Sequence, residues 1–178
     1  GGEQDIRKMG GLKGKIRITF ITMLIATIAI SGVFPFSGFF SKDEILAHAY
    51  DHSPVLWFLG QLASLLTVFY MFRLIFLTFF GKFRGTHEQE HHLHESPPSM
   101  TFPLIVLAIL SVVGGLLGLP EFWHLPNWMA HHLDSLIIRK SPNTMSHQTE
   151  WTLMGIAISG ALATIWFTYQ LYIKNKVL

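Results

Sequence analysis

One lysine and two carboxylates, Lys42, Asp43 and Glu44, follow the apolar stretch FPFSGFF at positions 34–40 after a single residue, Ser41. Burial and the positive end of a helix dipole favour the neutral form of a lysine, whereas neighbouring carboxylates favour its charged form. A lysine under these opposing influences can gain and lose a proton, which is the chemistry of a proton relay. The alternative is that the three residues form an ordinary polar helix start in a loop.

Arg73 is a second charged residue in an apolar setting, between VFYMF and LIFLTFF. An arginine inside a membrane costs about 3 kcal/mol, so it faces a cavity or a partner. We hypothesise that Arg73 takes part in proton transfer by competing with Lys42 for the carboxylate of Asp43. The alternative is that its side chain extends to the membrane surface near Gly81, about 12 Å further along a helix.

Ten histidines and the absence of cysteine bear on metal binding. The stretch HEQEHHLHE places His87 and His91 four residues apart, which is the spacing of a metal pair on a helix. We predict a solvated loop there, without a helix, and therefore neither a metal site nor a cofactor. Without cysteine, a thiolate metal site is excluded as well.

The composition is that of an all-α integral membrane protein rather than a soluble or nucleic-acid-binding one. Of the 178 residues, 50% are hydrophobic and 13% charged, the mean hydropathy is +0.40 and the net charge is +2. The charged fraction is about half that of a soluble domain. Four apolar stretches are long enough to cross a membrane. We predict a broken transmembrane helix at 18–50 and further transmembrane helices at 54–80, 101–119 and 151–173.

The remaining segments are predicted to connect these spans. Residues 1–17 form a cytoplasmic segment and residues 81–100 a His-rich cytoplasmic loop. Residues 120–149 form a loop on the periplasmic side, where Trp123 and Trp128 indicate a helix lying at the membrane surface.

The break in the first span is predicted from Pro35 and Gly38. A continuous helix from Arg17 to His52 would be about 52 Å long, which exceeds the ~30 Å of a bilayer core. Proline removes a backbone donor and clashes with the preceding turn, and glycine tolerates unusual dihedral angles. Opened backbone survives at membrane depth only inside protein or beside a wet cavity. We expect Ser41 to restart the helix, with both carboxylates in its first turn.

The loop cations predict the orientation. Nine are expected on one side of the membrane and two on the other, which places both ends of the chain in the cytoplasm. The nine are Arg7, Lys8, Lys13, Lys15, Arg17, Lys82, Arg84, Lys174 and Lys176, and the two are Arg139 and Lys140.

Three stretches carry a family resemblance: KMGGLKGKI at 8–16, SGVFPFSGFFSKDEIL at 31–46 and FYMFRLIFLTFFGK at 69–82. They resemble the C-terminal part of the antiporter-like L subunit (equivalent to mitochondrial subunit 5) of respiratory complex I, NADH:quinone oxidoreductase. The resemblance implies an antiporter-like bundle in which Lys42 is the lysine of the distal half-channel, Asp43 the acidic residue beside it and Glu44 a member of the same motif. Arg73 matches an arginine of the following span. The chain would then be a fragment without the N-terminal spans and the lateral helix.

The resemblance also implies the function. We expect proton translocation in the membrane arm, coupled to electron transfer elsewhere in the complex, with no flavin, iron–sulfur cluster or quinone in this chain. The protein would be a multi-pass protein of a bacterial inner membrane. The partners would be other membrane-arm subunits, chiefly the neighbouring antiporter-like subunit, and the lipid bilayer. The alternatives are the large subunit of a multisubunit cation/proton antiporter or of a membrane-bound hydrogenase, and a piece that only docks its neighbours.

Overall fold

The computed structural model of the chain describes residues 4–118 and 146–175, and within these ranges it is helical without any strand. A 3-10 turn precedes the first helix, a second one follows α5, and a π-helical turn extends α6. The helices are α1 (Arg17–Ile30), α2 (Ser37–His52), α3 (Pro54–Phe79), α4 (His87–His91), α5 (Pro98–Val113) and α6 (His147–Tyr169), and the turns are Leu12–Gly14, Gly114–Gly118 and Gln170–Lys174.

Three helical segments are long and apolar enough to cross a membrane unaided. They are Pro54–Phe79, Pro98–Leu116 and Gln148–Lys174. Helix α1 is apolar but has only 14 residues, or about 21 Å, which is shorter than the bilayer core. The structure therefore has three uninterrupted candidate spans in its described part, and the predicted fourth span depends on α1 and α2 together.

Helices α1 and α2 lie one after the other along α3, antiparallel to it. At one end, the rings of Phe20 and Phe79 lie 5.1 Å apart between centroids. At the other end, the rings of Tyr50 and Trp57 lie 5.8 Å apart. Since α3 has 26 residues, about 39 Å of helix, the two short helices jointly follow one long one. The chain thus continues in the same direction after the break.

The break itself spans residues 31–36. Pro35 lies in it, and Gly32 has a φ of 71°, the left-handed conformation that glycine adopts without strain. Gly38 lies instead in the first turn of α2. A Cβ atom on Gly38 would collide with the carbonyl oxygen of Ala29. The prediction that Gly38 belongs to the non-helical turn is therefore wrong, because Gly38 is helical. Its missing side chain instead lets the ends of α1 and α2 approach closely.

The start of α2 also differs from the prediction. The helix begins at Ser37, four residues before Ser41, and no side chain caps it. The Ser41 hydroxyl instead donates a hydrogen bond to the Ser37 carbonyl oxygen, at 3.3 Å. Asp43 and Glu44 consequently lie in the second turn, so the dipole argument for these carboxylates is weaker than the sequence suggested.

Two loop carboxylates attach the segment after α3 to the start of α1. Glu95 accepts hydrogen bonds from the backbone N–H of Ile18 and the hydroxyl of Thr19, both at 2.6 Å. Glu90 forms a 3.1 Å ion pair with Lys15. Partial burial raises the pKa of Glu95, but the hydrogen bonds from Thr19 and from backbone amides outweigh it and hold that pKa below its ordinary value. The carboxylate therefore satisfies orphan amides at the N-terminus of α1.

The His-rich segment is not entirely a loop. Helix α4 begins with a capping box between Thr86 and Gln89, and the rings of His87 and His91 stack on it with centroids 6.0 Å apart. The predicted boundary at residue 100 is also late, since α5 begins at Pro98. No group of three or more metal-ligating side chains is found in the part of the chain that the structure describes.

The predicted surface helix cannot be compared with the structure. Trp123 and Trp128 lie outside the described residues, and of the range 120–149 only 146–149 are described. Those residues include the start of α6, which precedes the predicted boundary at residue 151.

Candidate functional site

The side chain of Lys42 turns back from α2 toward the helix break. Its Cδ atom lies 3.1 Å from the position that a Cβ on Gly32 would occupy. Its Nζ atom is buried and has no hydrogen-bond partner among the described residues. Because Gly32 has no side chain, the lysine can fold over the break and keep its amine away from the surface of the protein.

Lys42 and Asp43 line a small cavity between four structural elements. The break contributes Ser31 to its wall, α3 contributes Ser64 and α6 contributes Ala157, while α2 provides Lys42 and Asp43. The volume of the cavity is about 10 Å³, which is the space that one water needs. The site is therefore a small cavity between mostly apolar helices, with a few polar side chains in its lining.

The cavity lies near the middle of the candidate spans. Its α3 residues, Ser64 and Leu65, are about 15 Å of helix from Pro54, and its α6 residues, Ala157 and Ala161, are similarly central. A bilayer core of about 30 Å has its midplane at that distance from either edge. This position disagrees with the alternative in which residues 42–44 are an ordinary polar helix start in a loop.

The two carboxylates after Lys42 differ in their surroundings. Asp43 is half-buried and lines the cavity, whereas Glu44 is exposed. The amine of Lys42 has no hydrogen-bond partner in residues 4–118 and 146–175, so the expected contact between Lys42 and Asp43 is not formed. The charges that act on Asp43 come from its sequence neighbour Glu44 and from Glu150, in the first turn of α6. The sequence did not indicate Glu150, because it is more than 100 residues away along the chain.

Arg73 lies apart from this cavity. It is eight residues beyond Leu65 on α3, about 12 Å of helix, and its guanidinium carbon lies 5.6 Å above the ring centroid of Tyr172. The structure therefore does not bring Arg73 to Asp43 and Lys42. Stacking on an aromatic ring is an ordinary way to place an arginine in an apolar protein region.

Two buried hydroxyls beside the site were missed in the sequence. Thr27 is 0% and Ser31 is 2% exposed, and neither hydroxyl oxygen has a hydrogen-bond partner in the described part of the chain. Their spacing of four residues places both on one face of α1, directly before the break. That spacing is the only signal that could have indicated them.

Comparison with known proteins supports the resemblance noted in the sequence. Residues 1–69, which include the break and Lys42, match the family model described as NADH:quinone oxidoreductase/Mrp antiporter, TM. NAD(P)H-quinone oxidoreductase chain 5 of Picosynechococcus sp. is 51% identical over 98% of this chain and 29% of its own length. The chloroplastic subunit 5 of Chaetosphaeridium globosum is 40% identical over 95% of this chain and 26% of its own.

A relative that is named subunit L, rather than chain 5 or subunit 5, is similar as well. NADH-quinone oxidoreductase subunit L of Rhodobacter capsulatus is 41% identical over 68% of this chain and 19% of its own length. The chain thus spans less than a third of the length of these relatives.

Proposed function

We propose a proton-translocating role for this chain because residues 1–69 match the NADH:quinone oxidoreductase/Mrp antiporter family model and the chain is similar to part of the chain 5 and subunit L relatives. The role is exercised in the membrane arm of NADH:quinone oxidoreductase, complex I, and is coupled to electron transfer in other subunits. The observation that carries the proposal is the buried amine of Lys42, a residue that lines a small cavity beside a broken helix near the middle of the candidate spans.

Lys42 is proposed to be the proton carrier. A buried amine without a fixed partner is costly in its charged form, so small changes in nearby charge can change its protonation state. Asp43, in the same cavity, and Glu150, which acts on Asp43, are the nearby carboxylates. A conformational change that moves either charge would alter the proton affinity of Lys42. Glu44 is proposed to take part from the exposed face of α2.

The assembly and location follow from the same proposal. The chain is a multi-pass membrane protein whose partners are the lipid bilayer and other membrane-arm subunits, chiefly the neighbouring antiporter-like subunit. Redox cofactors belong to other subunits, and this chain contributes to the enzyme without redox chemistry of its own. Both ends of the chain are proposed to face the cytoplasm.

A cation/proton antiporter of the Mrp type is the second candidate, since the family description includes it. The relatives named above are oxidoreductase subunits, which favours the first candidate. Purification of the chain from its source separates the two. Co-purification with NADH-oxidising subunits supports complex I, and co-purification with small antiporter subunits supports the other.

Proton uptake in vesicles containing the reconstituted complex tests the role of Lys42. Lys42→Ala removes the carrier, and Lys42→Arg retains the charge but cannot release a proton. Loss of a proton-transfer group slows that step about 10²-fold or more, so we expect both variants to lower proton uptake per NADH oxidised. Lys174→Ala, at an exposed position, is the matched control. An assembled Lys42→Ala complex with the wild-type ratio would refute the proposal.

A further inference from the structure

Two residues that line this cavity beside the helix break each carry a buried polar atom without a hydrogen-bond partner in the described part of the chain. These atoms are the Ser31 hydroxyl oxygen and the Lys42 amine nitrogen. Ser31 is 2% exposed. Buried polar atoms nearly always have partners, and those that no protein group satisfies commonly bind an ordered water. Hydrocarbon around the bundle cannot serve instead.

The cavity meets the two requirements for a bound water, which are room and polar partners. Its volume of about 10 Å³ accommodates one water. The Ser31 hydroxyl, the Lys42 amine and the Ser64 hydroxyl all belong to residues that line it, and a buried water typically makes about three hydrogen bonds. Ser31 comes from the break directly after α1, Lys42 from α2 and Ser64 from α3. A water there would join the two halves of the broken helix to their neighbour.

We propose that this cavity holds one ordered water bridging the Lys42 amine and the Ser31 hydroxyl, and that Ser31 is a positioning residue for proton transfer at Lys42. The inference rests on the proposed role of Lys42. The water oxygen accepts a hydrogen bond from the ammonium form of Lys42, and the water donates to the lone pair of the neutral amine. The hydroxyl of Ser31 can donate or accept, so it holds the water in both protonation states.

Two titratable groups, on α2 and α6, lie around Lys42. Asp43 on α2 lines the same cavity, and Glu150 on α6 acts on Asp43. Helix α3 contributes Ser64 and Leu65 there, neither of which titrates near neutral pH. Because the amine makes no direct hydrogen bond, the water is its closest stabilising group when the lysine is charged.

The test compares Ser31→Ala with Ser41→Ala in the complete reconstituted complex. Ser41 is the matched control because it is adjacent to Lys42 but exposed, and its hydroxyl already bonds to the Ser37 carbonyl oxygen. The alkaline limb of the pH profile of proton uptake reports deprotonation of the carrier. We expect Ser31→Ala to move this limb to lower pH by about one unit, a ten-fold change in proton affinity, because the ammonium loses a held acceptor. Ser41→Ala should keep the wild-type profile.

A high-resolution structure of the wild-type complex provides a second measurement, independent of activity. We expect density for a water within about 3 Å of both Lys42 Nζ and Ser31 Oγ, and its absence would overturn the inference. A pH profile for Ser31→Ala equal to that of Ser41→Ala, with Lys42→Ala still defective, would refute the role of Ser31 and leave the proposed function standing. Wild-type uptake by Lys42→Ala would refute the proposed function itself.

Discussion

Lys42 and Arg73 show how differently one protein accommodates two cations within apolar helices. The amine of Lys42 is buried without a hydrogen-bond partner among the described residues, and Lys42 lines a small cavity. The guanidinium of Arg73 lies over the ring of Tyr172. An arginine keeps its proton at all physiological pH values, whereas a lysine changes its protonation state when its surroundings change. The surroundings therefore match the chemistry of each side chain, with the titratable cation at the cavity and the permanent one on a ring.

At Arg73 we predict a role in packing rather than in proton transfer. Replacing either partner, Arg73→Leu or Tyr172→Leu, removes a cation–π contact that contributes about 0.5–2 kcal/mol. We expect both variants to lower the thermal stability of the complex to a similar extent and to keep the wild-type proton uptake per NADH after assembly. A loss of uptake in Arg73→Leu that Tyr172→Leu does not share would show that the guanidinium itself is needed for transfer.

The helix break depends on two glycines with different functions. Gly32 adopts the left-handed conformation that turns the chain at the end of α1. Gly38 lies within α2, where its missing side chain leaves room for the carbonyl group of Ala29. Together they bring the two helix ends close enough for the Lys42 side chain to reach back to Gly32, beside the cavity that Ser31 and Lys42 both line.

Gly38→Ala should disrupt this close approach. The added methyl group would collide with backbone atoms, which cannot rotate away as a side chain can, and overpacking of this kind costs about 1–3 kcal/mol. We expect less assembled complex and a lower melting temperature.

Gly155→Ala is the control for that substitution, since Gly155 is also helical and nothing lies within 4 Å of its added Cβ. It should be neutral or slightly stabilising, because alanine favours helix more than glycine does. Equal melting temperatures for the two variants would show that the ends of α1 and α2 are packed less closely at Gly38 than the structure has them.

Three cation-rich segments meet at one end of the molecule. The Gly11 amide donates to the Phe80 carbonyl oxygen at 3.1 Å, which attaches the first segment to the end of α3. The rings of Phe76 and Tyr169, 5.9 Å apart, place the end of α6 nearby. The packing of the helices is therefore compatible with the prediction that these three segments lie on the same side of the membrane.

The cytoplasmic location of that end is predicted from its positive charge. The chain has no cysteine, so single cysteines introduced at Lys13, Asn175 and His52 report sidedness without background from this chain. In spheroplasts, a membrane-impermeant thiol reagent applied outside should label His52→Cys, at the opposite end, and neither of the others. Labelling of Lys13→Cys or Asn175→Cys from outside would reverse the orientation.

The sequence by itself determined the class of the protein, the apolar helices and the presence of a break near Pro35. These features depend on composition, on the length of apolar stretches and on the backbone chemistry of proline, all of which are local. The motif around Lys42 also pointed to the family. The boundaries of α2 and α5 were less accurate, because several neighbouring residues could begin a helix equally well.

Only the tertiary structure decided which residues surround Lys42. The close approach of α1 and α2 gave Gly38 a packing role, and contact between α3 and the end of the chain placed Arg73 on Tyr172. Enclosure of the Lys42 amine together with the Ser31 hydroxyl required α3 and α6 to cover the break. Burial and the loss of hydrogen-bond partners arise between segments that are distant in sequence, so no local pattern of residues could specify them.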